Sequence, residues 1–172
     1  YVATGTTFPD ALAGAALAGS QGVPVLLTTR TSLPAATAQA LARLQPGRIV
    51  VLGDSGAVSD AVADALASYT SGSVTRLAGA DRYATAAAVA AQYAPGVETA
   101  YVATGTTFPD ALAGAALAGS QGMPVLLTAA NAVPMPLSTA FLRLAPQQIV
   151  VLGDSGAVSD PVASSLGVYG TG

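Results

Sequence analysis

Short apolar runs recur along the chain, separated by loops rich in glycine, serine and threonine and by longer stretches with helical spacing. In the second half these runs are Val74 to Leu77, Ala100 to Ala103, Pro124 to Thr128 and Ile149 to Leu152. Near-continuous apolar runs of this length predict strands buried on both faces, as in parallel sheets, rather than the alternation of a half-exposed sheet. The intervening pattern predicts helices over 81–93, 110–121, 135–144 and 160–167. Strands alternating with helices imply βαβ crossovers, and so a small parallel α/β sandwich.

Local signals agree with these elements. Pro109-Asp110 and Ser159-Asp160-Pro161 place a proline or a capping oxygen at helix starts, and Gly122-Met123-Pro124 ends one helix before the next strand. Helical spacing puts Ala111, Gly114, Ala115, Ala118 and Gly119 on adjoining faces, small enough to lie close against a sheet, where a large residue at Gly114 would clash. Capping is the simplest role for Asp60 and Asp160, and Arg143 complements the dipole at the end of its own helix.

The pattern repeats. Residues 1–28 return as 101–128 with one change, Val23 against Met123, and IVVLGDSGAVSD at 49–60 returns unaltered at 149–160. Between 29–48 and 129–148 only Pro34, Ala40, Arg43, Leu44 and Pro46 agree with their counterparts. A period of 100 residues is a whole folded unit rather than a solenoid turn. The polar segment Ser68 to Ser73 is the most linker-like, so the expected division is a partial repeat over 1–73 and a complete one over 74–172. Residues 76–100 have no counterpart ahead of Tyr1, which reads as a piece of a longer array.

Composition narrows the chemistry. The chain has no cysteine and no histidine, which removes disulfides, thiolate nucleophiles, histidine triads and most zinc sites. Six arginines and no lysine stand against nine acids, a net charge of −3, so the clustered cations that nucleic acid requires are missing. Ala11 to Gly19 is too short to span a bilayer. Neither G-x-G-x-x-G nor the P-loop pattern occurs, and the spacing of Asp54, Asp60, Asp64, Asp154 and Asp160 fits no EF-hand. No cofactor and no metal are expected.

Three strand-to-helix loops are expected on one carboxyl edge of the complete unit: 78–85, 103–111 and 152–160. The first half supplies two again, 3–11 and 52–60. That edge is where parallel α/β sheets usually hold ligands, facing helix N-termini. Thr104, Thr106, Thr107 and Ser155, with Thr4, Thr6, Thr7 and Ser55 in the first copy, suit a hydroxyl-rich or anionic ligand; Asp10 and Asp110 lie beside them. The cluster Asp81-Arg82-Tyr83 has two readings that can hold together. Asp81 caps its helix while Arg82 pairs with Asp110 or Asp154, or Arg82 offers its donors to a ligand. Pro24 to Thr28 and its copy at 124–128 read as core strands, and exposure at Leu27 or Leu127 would be unexpected.

Four motifs in order, RLAGADRYATA, YVATGTTFPDAL, PVLLT and IVVLGDSGAVS, give the whole chain a specific resemblance to the bacterial cell wall-binding repeat 2 family. The resemblance implies an α/β fold, a small Rossmann-like parallel-sheet sandwich repeated in tandem. It further implies a non-catalytic, secreted module on the cell wall or cell surface of Gram-positive bacteria. There it would pack with other repeats, typically as a trimer, and hold anionic cell wall polysaccharide such as teichoic-acid-like glycans. By position, the family's D-R-Y-x-T-A falls on Asp81, Arg82, Tyr83, Thr85 and Ala86, and its F-P-D-A-L on Phe8 to Leu12 and Phe108 to Leu112. The proline-leucine motif associated with polymer anchoring falls on Pro24 to Leu27 and Pro124 to Leu127, bringing Leu26, Leu27, Leu126 and Leu127 among the candidates. Where the family typically has a glycine pair after the third strand, this chain has Gly53-Asp54 and Gly153-Asp154. Two rivals stand beside this reading: a carbohydrate- or nucleotide-processing enzyme fragment using the carboxyl-edge cleft, and a structural self-assembly module.

Overall fold

Strand and helix alternate along all 172 residues, which the computed structural model describes in full. The order is β1 (Val2–Thr4), α1 (Pro9–Ser20), β2 (Leu26–Thr28), α2 (Ala35–Leu44), β3 (Ile49–Leu52), α3 (Asp60–Leu66), β4 (Val74–Leu77) and α4 (Arg82–Ala90). It continues with β5 (Thr99–Thr104), α5 (Pro109–Gln121), β6 (Val125–Thr128), α6 (Met135–Leu144), β7 (Gln148–Val151) and α7 (Asp160–Leu166). The strands form two sheets, ordered β2-β1-β3-β4 and β6-β5-β7, with every neighbouring pair parallel.

One expectation about the sheets is corrected. Val74 to Leu77 is a strand, but β4 pairs along β3 in the first sheet, with Ile49 opposite Val74 and Leu52 opposite Leu77. The division at residue 73 therefore describes the sequence period, whereas the sheet boundary falls after Leu77. The first sheet is the fuller one, with four strands against three. β4 shields one edge of β3, so Val50 is buried while its counterpart Val150 in β7 is exposed.

Helix ends depart from expectation in two places. At α3 the cap is Ser59, whose hydroxyl accepts from Val62 N at 3.3 Å, and Asp60 sits inside the first turn. The shorter serine side chain reaches the free N–H groups from the position that precedes them. Arg143 lies in the last turn of α6, as expected, but its guanidinium also serves a second helix, donating to the carbonyls of Ala91 (2.5 Å) and Tyr93 (2.7 Å) just past the C-terminus of α4. α2 and α6 both end on a non-glycine residue in left-handed conformation, Gln45 (φ 43°) and Ala145 (φ 44°), each donating its N–H to the fourth residue back.

Small residues set the spacing of the layers. Ala111, Gly114, Ala115, Ala118 and Gly119 are the buried face of α5, and a Cβ at Gly114 would fall 1.9 Å from Leu152 Cδ1. The two units share one core. Leu12, Ala16 and Leu17 of α1 cluster with Tyr101, Ala115, Ala118, Val125 and Leu127 of the second unit, and α1 packs along α5 and α4. Phe8 and Phe108 meet at the end of this contact, with ring centroids 5.8 Å apart. Each fully buried aliphatic side chain in such a core contributes about 1.5–3 kcal/mol.

Identical sequence has unequal surroundings. Leu127 is 1% exposed beneath α4, whereas Leu27 is 53% exposed. The default reading of Leu27 as a core residue fails because no helix of the α4 type covers β2 in this chain.

Candidate functional site

The carboxyl edge of the first sheet gathers three loops: 5–8 after β1, 53–59 after β3 and 78–81 after β4. Thr7, Pro9, Asp10, Asp54, Gly79, Asp81, Arg82 and Thr85 line a small cleft there of about 140 Å³, with no hydrophobic residue in its wall. The loop at 78–85 was expected beside 103–111 and 152–160; the pairing of β4 with β3 puts it on the edge of the first sheet, from which Arg82 still reaches Gly105 in 103–111.

Each loop is held by its own side chains. Asp81 caps α4, accepting from Ala84 N at 2.8 Å, and Thr85 Oγ1 accepts from Gly79 N at 3.1 Å. Asp54 Oδ1 accepts from Gly56 N (3.0 Å) and Ala57 N (3.1 Å), so its carboxylate is committed to its own turn, as is Asp154 in the second copy. Gly53 has φ 94°, and a Cβ there would meet Asp10 Oδ2 at 2.5 Å; glycine is required for the Asp10 carboxylate to close over this turn.

The electrostatics are mixed. Burial pushes the Asp10 carboxyl above its ordinary range and Asp54 adds to this, while the Thr85 hydroxyl and Arg82 act the other way. Arg82 makes no ion pair with Asp110 or Asp154: Arg76–Asp60, at 3.0 Å, is the ion pair of the chain. Instead Arg82 Nη1 donates to the carbonyl of Gly105, bridging to the second unit, and Arg82 and Tyr83 crowd Gly105 so closely that a Cβ there would lie 2.9 Å from each. Arg82 is exposed and makes no ion pair, although Asp10, Asp54 and Asp81 line the same cleft.

The other candidates divide by accessibility. Thr6, Thr7, Ser55, Thr106, Thr107 and Ser155 are exposed on the two carboxyl edges, and Asp110 is half-buried. Thr4 and Thr104 are buried and brace their loops through hydroxyl contacts of 2.8 Å with Thr6 and Thr106. Leu126 and Leu127 lie in the core on opposite faces of β6, unable to meet a polymer: Leu126 packs in the cluster with Leu137 and Phe141 of α6, and Leu127 in the one with Leu12 of α1 and Ala115 of α5. Leu26 is half-buried and Leu27 exposed. Residues 78–85 lie against the first edge, which sets Arg82 beside Thr7 there.

Sequence reasoning missed Arg76. From β4 it donates to Gly53 O (2.8 Å) and to Asp60 Oδ1 (3.0 Å), tying the β3–α3 loop to the sheet edge. A lone arginine in an apolar strand next to an aspartate-bearing loop was the available signal.

The family model described as Cell wall binding domain 2 (CWB2) matches residues 1–63 and 76–163. An amidase enhancer of Bacillus subtilis (strain 168) is 34% identical over 165 residues, covering 96% of this chain and 22% of that protein. The N-acetylmuramoyl-L-alanine amidase LytC of the same organism is 29% identical over 93 residues, covering 54% of this chain and 19% of the relative. Among solved structures, Cwp6 from Clostridium difficile superposes with TM-score 0.89 at 25% identity, over 98% of this chain and 27% of that one. Cwp8 from the same organism gives TM-score 0.82 at 27% identity, over 98% and 29%. The chain thus spans about a fifth of the length of the curated relatives it matches.

Proposed function

The chain belongs to the cell wall binding domain 2 family, a secreted module of the cell wall or cell surface, and we propose that it anchors by reversible contacts to an anionic envelope glycan. No helix is long and apolar enough to cross a membrane.

The observation that carries the reading is the exposed Arg82 beside Thr7, in a cleft without hydrophobic residues that it shares with the carboxylates of Asp10, Asp54 and Asp81. With a net charge of −3, attraction for a polyanion has to be local. One exposed charge pair in water is worth about 1 kcal/mol, so a single contact is weak. Engaging a polymer at several hydroxylated edges in series raises avidity without any new contact, which gives the tandem repeat its purpose. The module is non-catalytic in this reading, and any enzymatic activity belongs to other parts of a larger protein, as in a relative that is an amidase but of which this region is 19%.

The test is binding to purified walls before and after extraction of their anionic polymers, across a salt series. Binding should fall with extraction and with rising salt. Equal binding to intact and extracted walls overturns the proposal. A second reading, a self-assembly module, draws on Phe108 and Leu112, which are exposed on α5 while Leu12 of α1 is buried. A chain that oligomerises but ignores every wall fraction would favour it.

A further inference from the structure

The loop after β2 carries chemistry that its copy lacks, on the same scaffold. Arg30 O accepts from Ser59 N at 2.8 Å in the first unit, and Ala130 O accepts from Ser159 N at 2.9 Å in the second. Thr28 Oγ1 donates to Ser32 O (2.9 Å), as Thr128 Oγ1 does to Ala132 O (3.1 Å). These bonds close the turn in both copies, so the fold does not demand the particular side chains at 29–32. Those side chains nonetheless differ in kind: Thr29, Arg30, Thr31 and Ser32 are all exposed, where the second unit has Ala129, Ala130, Asn131 and Ala132. Arg30 makes no ion pair; Asp60, which follows Ser59, is engaged by Arg76 at 3.0 Å.

The sheet order sets Arg30 and Arg82 at opposite ends of one carboxyl edge. Arg30 follows β2 and Arg82 follows β4 in the order β2-β1-β3-β4, three strand spacings or about 14 Å apart at the sheet. Between them the exposed hydroxyls of Thr6 and Thr7 follow β1, and that of Ser55 follows β3. We propose that Arg30 is a second contact for the anionic glycan, which lies across this edge from Arg82 over the hydroxyls, so that the unit prefers a polymer with acidic groups on successive repeats to a single charged sugar. The proposal rests on the reading of this chain as an anchor to such a polymer. Asp10, Asp54 and Asp81 share the cleft of Arg82 and offset its charge, whereas Arg30 stands outside that cleft. One exposed arginine adds little alone, but once Arg82 holds the polymer the contact at Arg30 is intramolecular and adds avidity. The second unit, with alanine at 130, has no cation at this place.

The test measures binding of the parent, Arg30→Ala, Arg30→Glu and Arg82→Ala to purified walls, with their anionic polymers intact or extracted, across a salt series and with the Tm of each protein. Arg30→Ala installs the residue that the second copy carries on the same backbone, so its Tm should move by less than about 2 °C. Its binding to intact walls should weaken by about threefold at low salt and depend less steeply on salt, the share of one exposed charge. Arg30→Glu should weaken it further, by about tenfold. Parent-like binding by Arg30→Ala overturns this proposal, and the anchoring role stands if Arg82→Ala is weakened. Equal binding of the parent to intact and extracted walls overturns the anchoring role itself, and this proposal with it.

Discussion

Gly19 and Gly119 face each other across the contact between α1 and α5: a Cβ on Gly19 would sit 3.4 Å from Gly119 Cα, and one on Gly119 would sit 3.3 Å from the carbonyl oxygen of Ala16. Backbone lies against backbone here, so neither helix can yield by turning a side chain aside. This contact joins the two sheets into one core.

Gly119→Leu should accordingly separate α1 from α5 and destabilise the whole chain by about 1–3 kcal/mol, the cost of overpacking, or more. Thermal unfolding would read it as one lowered transition. If only the second unit loosened, with two transitions, the shared core would be the wrong description.

Arg76 offers a separation of two effects. Asp60 is 78% exposed, so the ion pair itself contributes little, and Asp60→Asn should cost less than about 0.5 kcal/mol. Arg76→Ala also removes the bond to Gly53 O and should cost about 1–2 kcal/mol. Denaturant unfolding of both variants would check the order. Equal losses would mean that the carboxylate, not the carbonyl, is the partner that matters.

Asp10 predicts a pH dependence. Its folded-state pKa is raised from 3.8 by burial, so its contribution to stability is fully present below the unfolded pKa and is lost as pH rises through the folded value. Asp10→Asn should therefore be more stable than the parent at neutral pH, with the gain shrinking as pH falls into the ordinary carboxylate range. A gain that grows on acidification would reverse the assignment.

Much of this fold was legible in the sequence because it is locally encoded. The strand at Val74 to Leu77 and the helix over 135–144 fall where the apolar pattern puts them, and the buried face of α5 is the set of small residues that helical spacing brings together. What escaped is non-local. A 100-residue period can be cut at any phase, so no local signal says that β4 pairs with β3 rather than opening the next sheet. Arg143 stands at the end of its own helix in sequence, yet it reaches carbonyls some 50 residues away. The same limit applies to the edges: the exposed threonines were visible in both copies, but only strand pairing says which edge receives Arg82.

If Arg82 contacts the wall polymer, the affinities of the parent and of Arg82→Ala for purified polymer-bearing walls, taken together with their Tm values, will show it. Binding should weaken by about tenfold, close to 1.4 kcal/mol, with the Tm lowered by less than about 2 °C. Unchanged binding, or a large fall in Tm that accounts for the loss, would contradict it and leave Arg82 as the bolt between the units through Gly105.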